Sequence, residues 1–457
     1  MERKNVWKSY TAEQLVELNK INDDYKKCLD EGKTERECVH LTVKKLEENG
    51  YQNLKNVEGP LKAGDKVYAV CMDKMVAAFQ IGKQPLEKGM NILGAHIDSP
   101  RIDVKQNPLY ENEELAYLDT HYYGGLKKYQ WVTLPMAIHG VIAKKDGTVT
   151  NVVIGEKEDD PVFVITDLLP HLAADQMQKK ANVVIEGEKL DLLIGSQPVA
   201  DEDEKEAVKA NIMTILKESY DMEEEDFASA ELEIVPAGRA RDCGFDRSMI
   251  LAYGQDDRVC SFPSLFALLD VEDLEYTGCC ILVDKEEIGS VGATGMHSRF
   301  FENIIAELVA LTDGESELKV RRALQNSRML SSDVSAGYDP MYPEAFEKRS
   351  AAFCGKGVVF NKFTGSRGKS GSNDANAEFI ARLRRVLDQH NVNYQFAELG
   401  KVDIGGGGTI AYIMANYGME VIDCGVSVLS MHAPWETTSK ADIYEAYKGY
   451  KAFLKEM

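Results

Sequence analysis

Five segments of the chain place an oxygen or nitrogen donor where an apolar run stops or a helix starts. GAHIDSPRID closes such a run on His96, with Asp98 two residues later. CCILVDKEEIGS ends another just ahead of the adjacent pair Glu286 and Glu287. YGQDDRVC offers Asp256 and Asp257 before an expected helix, RMLSSDVSAGYDP offers Asp333, and GVSVLSMHAPWETTS offers His432. Taken singly, each has a plainer reading: an H-x-D is more often structural than metal-binding, a glutamate pair is as readily an exposed acidic turn, and aspartates cap helices. Taken together, His, Asp, Glu–Glu, Asp and His form the nitrogen-and-oxygen donor set of a two-metal hydrolytic site without cysteine. Asp98 is spaced to fix the tautomer of His96 and raise its basicity as a ligand. Adjacent glutamates repel unless a cation or shared proton intervenes. In a hydrolase one can bind metal while the other takes a proton from water.

The elements that must carry these residues alternate strands with helices. Strands are expected at 67–82 (a pair turning near Asp73), at MNILGAHID, and at CCILVD, RMLSSDV and VIDCGVSVLS. Helices are expected after Thr11 and Thr34, whose partners Gln14 and Glu37 make capping boxes and the second of which stops at Gly50, and at 298–312, 374–390 and 439–455, the last capped by Ser439 with Asp442. That alternation implies an α/β three-layer sandwich on a central mixed sheet. Residues 105–236 differ in texture: AIHGVIA, VTNVVIG and PVFVIT read as strands, an Asp146–Gly147 turn joins the first two, and an amphipathic stretch follows Asp167. This predicts a discontinuous domain, 1–104 with 237–457, interrupted by a β-rich insertion at 105–236. The acidic runs 201–206 and 221–226 read as solvated surface. DIGGGGTIAY lacks the Lys-Ser/Thr ending of a phosphate loop; its glycines are expected to let backbone approach a substrate near His432. His40, His121, His139, His297 and His390 have no such context and read as structural.

Composition narrows the partners. With 75 acidic against 53 basic residues, a net charge of −22 repels nucleic acid and anionic membrane surfaces. Nine scattered cysteines without a C-x-x-C pair argue against a disulfide framework or a thiolate zinc knuckle, and fit a reducing compartment. The N-terminal stretch MERKNVWKSY is charged, and no apolar run approaches the roughly 18 residues a membrane span needs. A cytoplasmic protein is expected.

In order and wording, the motifs resemble those of the aspartyl aminopeptidase family of dinuclear zinc metallopeptidases, over essentially the whole chain. The resemblance implies a globular α/β catalytic domain interrupted by a β-rich domain that lines the site and makes subunit contacts. It implies peptide substrates and a tetrahedral homo-dodecamer. It implies two divalent metal ions per subunit, zinc or alternatively manganese or cobalt: His96 and Asp333 on one, Glu287 and His432 on the other, and Asp256 bridging. Glu286 would be the general base and Asp98 the orienter of His96. His171, in LLPHLAAD, matches a histidine that stabilises the developing oxyanion, and Lys362, in GVVFNKFTG, a lysine facing an acidic substrate side chain. Two other readings stand beside this one. A related dinuclear deacylase or carboxypeptidase would share the metals but need a carboxylate-binding arginine and no free amine. A catalytically silent assembly or cargo protein would have no reason to keep all five ligands and Glu286.

Overall fold

The computed structural model describes residues 4–201 and 203–457; the first three residues of the charged N-terminal stretch and Glu202 of the first acidic run lie outside the described residues. By contact density the chain divides into two units. The first comprises Met1–Asp98, Ala240–Met431 and Glu436–Met457, and the second Ser99–Arg239 with His432–Trp435.

The first unit is organised by strands whose side chains alternate between two cores. Along Met90–His96, Leu93 and Ala95 enter one core while Met90 and Ile92 enter the other. Along Thr277–Val283, Cys280 and Leu282 face one way, and Cys279, Ile281 and Val283 the other. Strands buried on both faces must be covered by helices on both. Helices Ala12–Glu31, Glu35–Glu48, Gln255–Leu269, Ala377–Gln389 and Lys440–Glu456 cover one face. Phe300–Asp313, Glu317–Gln325 and Ala411–Ala415 cover the opposite one. The expected three-layer α/β sandwich is thus the observed one.

Nine strands of the described residues form its sheet, in the order Gln52–Asn53, Lys66–Cys71, Met75–Gln80, Thr277–Val283, Met90–His96, Arg328–Ser332, Glu420–Gly425, Val358–Asn361 and Tyr394–Phe396. The central four run parallel. Met75–Gln80 and Val358–Asn361 join them antiparallel, so the sheet is mixed. The local signals act as their chemistry dictates. Both capping boxes form, Thr11 with Gln14 and Thr34 with Glu37, each contributing about 1 kcal/mol. Gly50, at φ +80°, ends the second helix while the N–H of Tyr51 reaches back to the carbonyl of Leu46. Met72 and Asp73, both at positive φ, make the turn between the strands of the first hairpin.

Three expectations are corrected. VIDCGVSVLS is not one strand: Glu420–Gly425 belongs to the main sheet, and Ser427–Leu429 to a separate five-stranded sheet. Ser439 makes no side-chain cap; Asp442 instead accepts the backbone N–H groups of Gly355 and Gly357, each at 2.7 Å. PVFVIT forms only isolated bridges, through Phe163 to Met136 and Val164 to Leu193. In the Gly run, a Cβ on Gly405 would lie 1.7 Å from the carbonyl oxygen of Leu399, and one on Gly406 1.9 Å from that of Gly365. Gly405 and Gly406 are thus required by the chain's own loops, while a Cβ on Gly408 would meet nothing within 4 Å.

The second unit is built on a six-stranded antiparallel sheet, in the order Val149–Ile154, Met136–Ala143, Ala230–Pro236, Arg101–Asn112, Leu115–Tyr123 and Leu192–Gly195. The amphipathic stretch after Asp167 forms a series of short 3-10 turns, starting with Pro170–Leu172.

Candidate metal centre

Three neighbouring parallel strands deliver their last residues to one edge of the sheet. His96 ends Met90–His96, in register with Val283. Beyond Val283 the chain turns at Lys285, in the left-handed region, into the single 3-10 turn Glu286–Ile288. Ser331 pairs with Gly94, so Asp333 leaves its strand at the level of His96. Asp333 donates its N–H to the carbonyl of Cys424 at 2.7 Å. Gly425 makes that approach possible, since a Cβ there would fall 1.9 Å from the carbonyl oxygen of Asp333. Asp256 arrives from a different layer. It sits in the non-helical first turn of Gln255–Leu269, joined to Asp257 by a cis peptide bond.

The side chains converge. His96 Nε2 lies 3.4 Å from Asp256 Oδ1, and 3.9 Å from both Glu286 Oε2 and Asp333 Oδ1. Ligand atoms of His96, Asp256 and Glu287 lie within 4.8 Å of one another; so do those of His96, Glu286 and Asp333, and those of Asp256, Asp257 and Asp333. Asp98 holds the arrangement from behind. Its carbonyl and its carboxylate face His96 Nδ1 at 3.0 and 3.3 Å. The same carboxylate accepts the N–H groups of Glu286 and Glu287, at 3.1 and 3.2 Å. One aspartate therefore sets both the imidazole and the glutamate turn.

This donor set fits a divalent cation. Burial, followed by the charge of Asp333, pushes Glu286 up to about 8. Burial also raises Asp257, with Asp333 and Asp256 adding to it against the pull of His96. Burial alone would depress the imidazole of His96, but Asp256 and Asp98 override it and hold it well above its ordinary value. So many carboxylates ionise together at neutral pH only when a strong positive charge sits among them. All the donors are oxygen or imidazole nitrogen, which suits zinc, manganese or cobalt.

Among the described residues, the groups of donor atoms that close on one another do not include His432, His171 or Lys362. His432 belongs to the second unit, half-buried, and its Nδ1 lies 2.6 Å from the carbonyl of Gly125 in the same unit. His171 is exposed in its 3-10 turn in the same unit. Lys362 follows Val358–Asn361, exposed, and lines a hollow of about 490 Å³ with Arg384, Glu398, Phe363 and Phe396.

Comparison with known proteins decides the family. Residues 28–454 match the model of the aminopeptidase I zinc metalloprotease family, M18. The chain belongs to the M18 family of zinc metalloaminopeptidases. A probable M18 family aminopeptidase 1 of Clostridium acetobutylicum is 61% identical to this M18 chain, covering 99% of it and 98% of the relative. The crystal structure of aminopeptidase I from the same organism superposes with a TM-score of 0.93 at 59% identity, covering 100% and 99% of the two chains. That of the Thermotoga maritima M18 aminopeptidase gives 0.96 at 44% identity, covering both fully. A Saccharomyces cerevisiae relative described as a dodecamer shares the fold, with a TM-score of 0.76 at 20% identity over 94% and 95% of the chains.

In this M18 chain two site neighbours escaped the sequence reading. Asp257 was visible only as the second half of a pair; its Oδ2 accepts the N–H of His96 at 3.2 Å. Asp284, which burial followed by the charge of Glu35 pushes up to about 7, accepts the hydroxyl of Thr294 at 2.6 Å behind the glutamate turn. Its only signal was a carboxylate closing the apolar strand CCILV.

Proposed function

We propose that this M18 aminopeptidase uses two divalent metal ions, zinc in the first instance, to release the N-terminal residue of peptides. His96 and Asp333 would hold one ion, Glu287 and His432 the other, and Asp256 both. The observation that carries the reading is the convergence of His96, Asp256, Glu286, Glu287 and Asp333 at one sheet edge, with donor atoms in groups within 4.8 Å. When bound, the ions supply positive charge that polarises the scissile carbonyl and makes water more acidic. Glu286 takes the proton of the attacking water on a carboxylate oxygen and passes it to the leaving amine. Asp98 holds His96 in one tautomer and keeps the glutamate turn in place.

Lys362 beside Arg384 gives a local positive charge in a chain of net −22, which favours an acidic first residue, Asp or Glu. Residues 105–236 serve as a dimerisation and lid domain, through which His171 stabilises the oxyanion of a neighbouring subunit's reaction. The exposed Leu168, Leu172 and Met177 around His171, at 53%, 69% and 75%, support burial against another copy in a homo-oligomer, with the dodecamer as its expected size. A cytoplasmic location is supported by nine free cysteines. Among the described residues no helix is long and apolar enough to cross a membrane.

A panel of Asp, Glu, Leu and Lys aminoacyl substrates, with and without chelator, tests the proposal. Activity should vanish with chelator, return with zinc, manganese or cobalt, and be highest on Asp or Glu. Blocking the substrate amine should abolish it. Full activity on blocked substrates would instead favour a deacylase.

A further inference from the structure

His96 hangs from the end of a strand, and three residues of one helix grip the main chain around it. Asp257 accepts the N–H of His96 at 3.2 Å. Ser261 donates its hydroxyl to the carbonyl of His96 at 2.6 Å. Arg258 donates from Nε and Nη2 to the carbonyl of Ile97, both at 3.2 Å, and from Nη2 to the carbonyl of Lys33 at 2.9 Å. All three side chains are at most 1% exposed. A guanidinium is almost never buried this completely without a specific set of acceptors. Here two of its nitrogens converge on the one carbonyl between His96 and Asp98.

We propose that Arg258 and Ser261 are positioning residues of the metal centre. They fix the His96–Ile97–Asp98 main chain so that the imidazole is aimed, and its carboxylate partner placed, before a cation binds. This rests on the reading of His96 as a metal ligand. The reason is geometric. Asp98 faces the imidazole and also accepts the N–H groups of Glu286 and Glu287. A rotation of the Ile97 peptide would therefore disturb His96 and the glutamate turn together. Clamping that single carbonyl holds both.

If the contacts served only to attach the helix to the sheet, Ser261→Ala would lower stability while zinc affinity and kcat at saturating zinc held. Ser264 supplies the control for the loss of a buried hydroxyl as such: it lies on the same helix, is 0% exposed, and among the described residues its hydroxyl has no hydrogen-bond partner. The test compares Ser261→Ala, Ser264→Ala, Arg258→Lys and Arg258→Met in the full chain. Zinc affinity is read by chelator competition, kcat and KM at saturating zinc, and folding by far-ultraviolet circular dichroism. Ser261→Ala should weaken zinc binding about tenfold and lower kcat with KM unchanged. Ser264→Ala should do neither. Arg258→Met should lose more, and Arg258→Lys should recover part of that loss. Should Arg258→Met fail to fold, the Ser261–Ser264 pair decides. Zinc affinity and kcat unchanged in Ser261→Ala, or lowered equally in Ser264→Ala, would overturn the role. A parent chain that binds no zinc would overturn the metal reading itself, and the clamp with it.

Discussion

Glu286 carries two demands that pull its carboxyl in opposite directions. As the proposed base it must be ionised near neutral pH, yet burial beside Asp333 raises it to about 8. Bound cations would resolve the conflict, and proton and metal binding would then be reciprocal. The folded, metal-free chain holds this proton more tightly than an unfolded chain, whose glutamate titrates near 4.5. Its contribution to stability is therefore fullest below about pH 4.5 and is lost as pH rises toward 8. The metal-free protein should show a Tm that falls between about pH 5 and 8, and added zinc should flatten that slope while releasing protons to the buffer. Glu286→Gln should make the metal-free slope shallower. It should also retain bound zinc and lose turnover by about a hundredfold or more. Calorimetry across pH, zinc content and kcat check all three. Near-normal kcat in the glutamine variant would remove Glu286 as the base.

At the scale of elements, the site depends on how closely two strand ends approach. Gly425 passes so near Asp333 that a single added methyl group would fall 1.9 Å from its carbonyl oxygen. Gly425→Ala must push Asp333 away from His96 or open the strand pair. We expect a stability loss of about 1–3 kcal/mol and a clear drop in zinc affinity, measured by thermal melting and chelator competition. An alanine variant with parental Tm and affinity would mean the strands yield without moving the carboxylate. The same elements show what a sequence reveals. His96, Glu286, Glu287 and Asp333 were legible because short apolar strands end on them, and that pattern is local. Thr11 and Thr34 were legible because a capping box is complete within four residues. Asp442 was not. Its spacing from Ser439 imitates a cap, but its partners Gly355 and Gly357 lie far away in the chain. The break at Gly425 was hidden for a similar reason. VIDCGVSVLS is uniformly apolar, and only contact with Asp333 distinguishes its two halves. Arg258 and Ser261 gave no signal because what they bind is main chain.

At the scale of the whole molecule, the second unit exposes a short run of apolar side chains. Leu168, just ahead of two 3-10 turns, and Leu172 and Met177 within them stand at least half exposed; the turns bury none of their own residues, and His171 is among them. In water such a segment gains little by keeping this shape alone, and burying it against a second copy would remove several leucine-sized surfaces at about 25 cal/mol per Å². Two variants separate assembly from catalysis. Leu172→Asp would place a charge in the contact, and light scattering should then report a smaller species than the parent assembly. If His171 acts on a neighbouring subunit's reaction, kcat should fall along with that loss of mass. His171→Ala should leave the mass unchanged and lower kcat by about a hundredfold, the size expected for removing one oxyanion partner. A monomeric parent chain of full activity would sink both expectations. A Leu172→Asp chain that is smaller yet fully active would keep the interface and confine each reaction to its own subunit.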